Sequence, residues 1–169
     1  MQKIILASGN AGKLKEFQAI LGHQYQLVAQ GELNVSEVPE TGTTFIENAI
    51  IKARHASKCT GLPAIGDDSG IEVDELQGRP GLYSARYAGE GASSADRNAK
   101  LLNEMQAVPD DKRQARFVCV LAFMRHADDP TPIIAQGFCA GVIAHESHGE
   151  QGFGYDPILY RLKEQCTVA

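Results

Sequence analysis

Apolar and polar positions change period several times along this chain, and each change marks an element. Ile4, Ile5, Leu6 and Ala7 form an unbroken apolar run, which predicts a buried first strand over residues 1–7. Over residues 13–21 the apolar side chains are Leu14, Phe17, Ile20 and Leu21, the spacing of one helix face. Residues 26–30 predict a short second strand. Residues 32–42 hold few apolar positions together with Pro39 and Gly42, and predict a loop. The helical period then returns at Phe45, Ile46, Ala49, Ile50, Ala53 and Ala56. Thr44 and Glu47 stand at capping-box spacing before that run, and Gly61 and Pro63 close it, so a long amphipathic helix is expected to Cys59.

Residues 63–66 predict a short apolar strand that runs into Asp67-Asp68-Ser69-Gly70, after which residues 71–74 alternate again. Residues 78–91 are rich in glycine and read as a surface loop, and residues 94–105 read as another helix. Two longer runs of β-branched and apolar residues, 115–126 and 132–145, flank Asp128, Asp129 and Pro130, a hairpin-like connection. Residues 151–156 predict a last glycine-punctuated loop. The alternation of strands and helices, followed by two long paired strands, predicts an α/β domain with a mixed central sheet flanked by helices.

Composition narrows the function classes. A chain of 169 residues with 43% hydrophobic content suits one domain with one core, residues 1–169. Sixteen Lys and Arg against 21 Asp and Glu give a net charge of −5, which disfavours a nucleic-acid partner. It leaves room for a small anion, because a local cluster of donors holds phosphate in an acidic protein too. Cys59, Cys119, Cys139 and Cys166 form no C-x-x-C pair, so neither a zinc knuckle nor a redox motif is suggested. Cys119 and Cys139 lie in apolar runs and read as buried small hydrophobes, a usage that fits a reducing, cytoplasmic location. No apolar run is long enough to span a membrane, and the N-terminus does not read as a signal peptide.

Three stretches could carry chemistry. Residues 8–13, Ser-Gly-Asn-Ala-Gly-Lys, lie between the first strand and a helix. Glycines there permit positive φ and close approach of N–H groups to an anion, the helix N-terminus adds its dipole, and Lys13 adds a charge. The Walker pattern is absent, and a strand, glycine loop and helix are common, so taken by themselves these residues favour an ordinary turn over a phosphate cradle. Asp67-Asp68-Ser69-Gly70 reads either as a solvated turn, which its composition favours, or as a carboxylate pair for Mg²⁺ or for a water. Phe153-Gly154-Tyr155-Asp156 offers an aromatic face, a hinge and an acceptor, suited to a nucleobase or to a hydrophobic plug.

Taken together, "SGNAGKLKEF", "ETGTTFIENAIIKA", "AIGDDSGIEVD", "GRPGLYSARYAG" and "GFGYDPI" stand in the order and spacing of one family. From Met1 to about Tyr160 the chain resembles the non-standard purine nucleoside triphosphate pyrophosphatases, the inosine/xanthosine triphosphate pyrophosphatases. The resemblance implies an elongated, two-lobed mixed α/β domain with a cleft between the lobes, and a homodimer. It implies Mg²⁺-dependent hydrolysis of ITP, dITP and XTP to the monophosphate and pyrophosphate, which clears deaminated purines from the nucleotide pool. It assigns triphosphate contacts to Ser8, Gly9, Asn10, Ala11, Gly12, Lys13 and Lys52. Asp68 would be the catalytic carboxylate and a metal ligand, with Glu40 a second acidic ligand. Ser69 would touch the substrate. The base would lie on residues Phe153, Gly154, Tyr155 and Asp156, stacked on Phe153 and bonded at its edge to Asp156.

The pattern departs from the family after this last motif. The resemblance leads one to expect a Val-Pro, a substrate-contacting lysine, a Ser-His-Arg motif and a closing helix, whereas the chain reads "LYRLKEQCTVA" to Ala169. Lys163 is a poor stand-in for the lysine. Read as a lost C-terminal segment, this predicts weaker base discrimination, because donors that read the 6-oxo group would be missing. The alternative function is then a catalytically impaired nucleotide-binding protein.

Overall fold

The computed structural model describes residues 1–150 and 152–169; Gln151, first residue of the last predicted loop, lies outside them. Seven strands form one mixed sheet in the order β2-β1-β3-β4-β5-β6-β7, with helices against it. The strands are β1 (Lys3–Ala7), β2 (Gln26–Ala29), β3 (Ala64–Val73), β4 (Gln114–Met124), β5 (Ile133–Ile143), β6 (Leu159–Arg161) and β7 (Cys166–Thr167). The helices are α1 (Ala11–Leu21), α2 (Phe45–Thr60) and α3 (Ser94–Glu104). None of the described helices is long and apolar enough to cross a membrane.

The chain divides into two compact units. The first comprises Met1–Asp68 and Cys119–Gln136. Here β1 runs parallel to both neighbours, with Leu6 opposite Ala29 on one side and Ile65 on the other. A parallel strand covered on both faces needs apolar residues at every position, which is why residues 4–7 do not alternate. Ile5 and Ala7 pack with Ala56 and Ala64 on one face. Ile4, Leu6 and Ile65 pack on the other with Leu14, Phe17 and Leu21 of α1. Ile20, assigned to that stripe by its spacing, is instead 66% exposed, one position beyond the contact face.

Helix α2 lies close on the sheet because its inner face is small. Ala49, Ala53 and Ala56 are fully buried, and a Cβ on Gly66 of β3 would run into the Ala49 carbonyl and the Ala53 amide nitrogen. Its ends follow the predicted signals. The Thr44 hydroxyl accepts from the Glu47 N–H (3.1 Å), and Gly61 at φ 69° closes the last turn. The Glu47 carboxylate accepts from the Thr43 N–H at 2.8 Å. That bond and the Thr43 and Thr44 hydroxyls hold its pKa below the usual value.

The second unit comprises Ser69–Val118 and Gly137–Ala169. Its core gathers Ile71 and Val73 of β3, Leu101 of α3, Met105, Ile143 of β5, and Tyr155, Ile158 and Leu159. Buried Arg113 donates to the carbonyls of Met105, Val108, Ile143 and Ala144, so its charge is spread over four dipoles. The Ile143 N–H donates to the Arg113 carbonyl (2.8 Å), bringing the end of β5 back to the start of β4 as the hairpin pattern predicted. Two expectations fail here. The glycine-rich stretch 78–91 is not a plain loop: residues Gly81–Arg86 form a 3₁₀ turn with Ser84 buried. Strands β6 and β7 have no counterpart in the apolar pattern, being only three and two residues long.

Candidate active site

The loop at residues 8–13 becomes a capped helix start. Helix α1 begins at Ala11, two residues earlier than its apolar stripe suggested, so Lys13 sits in the first turn. Asn10 is the N-cap: its side-chain oxygen accepts from the N–H groups of Gly12 (2.9 Å) and Lys13 (3.2 Å). The Asn10 N–H in turn donates to the Ser8 hydroxyl at 3.3 Å. Among the described residues, neither Gly9 nor Gly12 adopts positive φ, contrary to the expected use of these glycines. At Gly9 a Cβ would lie 3.0 Å from the carboxylate of exposed Glu37, a flexible side chain that can shift, so space does not require glycine there either. An anion at this helix start would have to take these donors from the Asn10 cap.

The turn expected at residues 67–70 does not exist. Asp67, Asp68, Ser69 and Gly70 lie inside the ten-residue strand β3. Asp, Ser and Gly favour turns when solvated, but here Asp67 and Asp68 are 3% and 7% exposed and each has partners. Successive strand residues point to opposite faces. Asp67 therefore shares the α1 face with Ile65, and its carboxylate accepts from Lys13. Asp68 shares the α2 face with Ala64, where its Oδ2 accepts from the Asn48 side-chain amide at 3.1 Å. Its Oδ1 lies 3.6 Å from Lys52 Nζ.

Lys52 ties these groups together. It pairs with Glu40, approaches Asp68, and donates to the Asp67 main-chain carbonyl at 2.9 Å. Burial works to lower its pKa, but the hydrogen bond to Glu40 and the charges of Asp68, Glu40 and Asp67 outweigh burial and raise it, so Lys52 stays a cation. Both lysines thus meet at Asp67, Lys13 on its carboxylate and Lys52 on its carbonyl. Glu40 and Asp68 share one ammonium group, an acidic pair already arranged around positive charge. Among the described residues no group of three or more His, Cys, Asp and Glu is gathered. Two carboxylates match what Mg²⁺ takes from a protein when substrate phosphates and waters complete its octahedron.

Asn48 was absent from the sequence reading. It lies four residues before Lys52 on α2, the spacing of one helix face, and that shared spacing was the available signal. Its other amide atom accepts from the Gly42 N–H at 2.8 Å, which fixes its orientation.

Ser69 follows Asp68 on β3 and is half-buried. The aromatic turn belongs to the second unit. Phe153 is 40% exposed, while the next aromatic residue, Tyr155, is buried in the core. The Tyr155 hydroxyl donates to the Ser84 carbonyl at 2.8 Å, and burial pushes its pKa up to about 12. Any contact of Tyr155 with a ligand would therefore run through its backbone. Asp156 closes the turn by accepting from the Phe153 N–H at 2.8 Å. Gly152 and Gly154 adopt φ of 80° and 63°, a conformation that side chains resist. The thiol expectation also changes: Cys119 is exposed and Cys139 only partly buried. Cys119 shares its face of β4 with Phe123, which packs beside Ile4, Leu6 and Ile65, yet Cys119 itself is left exposed, a difference the apolar run alone does not mark.

Comparison with known proteins places the chain in a family. The Ham1 family model matches residues 4–169. The dITP/XTP pyrophosphatase of Vibrio cholerae is 61% identical over the whole chain and 85% of its own length. That of Salmonella typhimurium is 57% identical, over the whole chain and 86% of its own length. Among solved structures, a HAM1 protein from Coxiella burnetii superposes with a TM-score of 0.93 at 48% identity, covering all of this chain and 86% of that one. The Staphylococcus aureus Ham1 protein superposes at 0.87 with 42% identity, covering 99% of this chain and 85% of that one. Matched from its first strand to its last residue, and sharing both sequence and backbone with these relatives, this chain belongs to the Ham1 family.

Proposed function

We propose that this chain is a nucleoside triphosphate pyrophosphatase that hydrolyses dITP, XTP and ITP to the monophosphate and pyrophosphate, removing deaminated purines from the nucleotide pool. Its relatives carry the name dITP/XTP pyrophosphatase at 56–61% identity. The observation that carries the reading is the meeting of Lys13 and Lys52 at Asp67, with Asp68 beside them under the Asn48 amide. Two fixed cations suit a triphosphate, and an oriented carboxylate suits a water nucleophile.

In this reading the lysines exchange their carboxylate and carbonyl partners for phosphate oxygens. Water attacks the α-phosphorus, the bond to the bridging oxygen breaks, and pyrophosphate leaves with the electron pair. Asp68 receives the proton of the water. Asn48 holds one oxygen of Asp68 and so directs the other. Asp68 and Glu40 would hold Mg²⁺, which when bound neutralises phosphate charge and polarises the phosphoryl group. Phe153 stacks on the base. Asp156 accepts from the N1–H that hypoxanthine and xanthine carry and adenine lacks. The protein acts as a homodimer in the cytoplasm and does not engage nucleic acid. Four cysteines free of disulfides and a net charge of −5 support the last two statements.

The test is product-resolved hydrolysis of dITP, XTP and ITP beside dATP and dGTP, with Mg²⁺ and with chelator. Monophosphate plus pyrophosphate is expected, dependent on Mg²⁺. Asp68→Asn should lower kcat by about 10²–10⁴. Release of inorganic phosphate and a diphosphate would overturn the reaction, and an unchanged kcat in Asp68→Asn would overturn the role of Asp68. Tight ITP binding without turnover by the unsubstituted chain would establish the binding-only alternative instead.

A further inference from the structure

Helix α3 carries an anomaly. Leu101 and Met105 are fully buried in the core, and Asn98 stands three and seven residues before them on the same face. An apolar residue would continue the stripe. Asparagine is a weaker helix former, and here it is 6% exposed. Its Oδ1 is buried and meets no donor among the described residues. A buried amide with one end unsatisfied destabilises a core. What it gains is a single bond: Nδ2 donates to the Gly154 carbonyl at 3.2 Å.

Gly154 is the middle of the aromatic turn and adopts φ 63°, with Gly152 at φ 80° just before it. Glycines at positive φ are the residues least able to hold a conformation by themselves. Tyr155 anchors one end of the turn through its bond to the Ser84 carbonyl. Ser84 is itself fixed, its Oγ accepting from the Ile71 N–H at 2.9 Å and donating to the Gly81 carbonyl at 2.6 Å. Within the turn the Asp156 carboxylate accepts from the Phe153 N–H, and Asn98 supplies a further anchor from outside it, on the residue next to Phe153.

We infer that Asn98 is a positioning residue for the nucleobase: through Gly154 it holds the turn in the shape that presents Phe153. This rests on the reading of Phe153 as the stacking residue. Asn98 touches no reacting atom, so its loss affects substrate binding and leaves the phosphoryl chemistry intact.

The chain contains no tryptophan, so Phe153→Trp places a single reporter on the turn. In the whole 169-residue chain, Asn98→Leu added to Phe153→Trp should raise the acrylamide quenching constant at least twofold without any nucleotide present. With Phe153 retained, Asn98→Leu should raise KM for dITP about tenfold and keep kcat within about twofold. Asn98→Ala, which adds no bulk, serves if the leucine variant folds poorly, and the same shifts are expected. Leu101→Ala is the control on the same helix face: it lowers Tm and should change neither readout at 25 °C. Quenching and KM that stay unchanged in both Asn98 variants overturn the inference, as does a Leu101→Ala variant that reproduces both shifts. Phe153→Ala separates the two levels. If Phe153→Ala raises KM while the Asn98 variants do not, only the anchor fails. If Phe153→Ala leaves KM unchanged, the stacking reading fails and the role given to Asn98 fails with it.

Discussion

At the scale of single residues, the site is held by charges that neutralise one another before any substrate arrives. The Asp67 side chain is 4% exposed and that of Lys13 19%. A carboxylate so buried is tolerable because the ammonium group reaches it. Lys13→Met would strand that charge and should cost about 2 kcal/mol, less than for a fully buried pair because Lys13 is partly solvated. Adding Asp67→Asn should then recover part of the loss, since the neutral amide needs no cation. Urea unfolding of the two single variants and the double variant, at constant m, reads this coupling directly. Strictly additive losses would mean that the pair contributes nothing to the fold. The same pair also fits a catalytic site in waiting, because a lysine held against a carboxylate has already lost the rotamer freedom that binding phosphate would otherwise remove.

At the scale of elements, the decisive contact is the close approach of α2 to β3. Gly66 permits it, and the atoms that a Cβ would strike are the backbone of Ala49 and Ala53, which cannot rotate away. Gly66→Ala should therefore displace the helix and cost about 3 kcal/mol, lowering Tm by roughly 6–12 °C. Helix α2 also carries Asn48 and Lys52, so the displacement should reach Asp68 and lower kcat/KM for dITP about tenfold at 25 °C. A variant that loses Tm but keeps its turnover would show that the seat of α2 does not set the geometry around Asp68. This element was readable from sequence, since its caps and period are local signals and both ends fall where they predict. So were β1, α1 and β2, within two residues. The strand through Asp67-Asp68-Ser69-Gly70 was not. Local chemistry favours a turn there, and the groups that override it, Lys13, Asn48 and Lys52, lie 15 to 54 residues away in sequence. The candidate site was legible as a set of residue types. The opposite facing of the two aspartates, the Asn10 cap and the anchoring of the aromatic turn depended on tertiary partners that no local pattern announces.

At the scale of the whole molecule, the chain path makes the two units dependent on one another. Strand β3 belongs to the first unit up to Asp68 and to the second from Ser69, β4 divides between Val118 and Cys119, and β5 divides between Gln136 and Gly137. Three continuous strands thus pass from one unit into the other. Unfolding either unit leaves half of each strand without its neighbours, and strand pairing is stable only when several strands persist together. Local cores would suggest two transitions, because Ile5, Ala7, Ala56 and Ala64 form a cluster separate from that of Ile71, Leu101 and Ile143. Strand continuity argues for one, and three interrupted strands should outweigh the separation of the cores. Thermal unfolding should accordingly be a single transition by far-ultraviolet circular dichroism and by tyrosine absorbance. Gly66→Ala strikes the first unit, and Leu101→Ala removes a fully buried side chain from the second at about 2–5 kcal/mol. Each should move the entire transition to lower temperature, and both probes should move together. A curve that splits, with Gly66→Ala shifting one step and Leu101→Ala the other, would show that the shared strands do not couple the units. The Asn98 anchor and the Asp68 cluster would then lie in bodies that lose their structure independently.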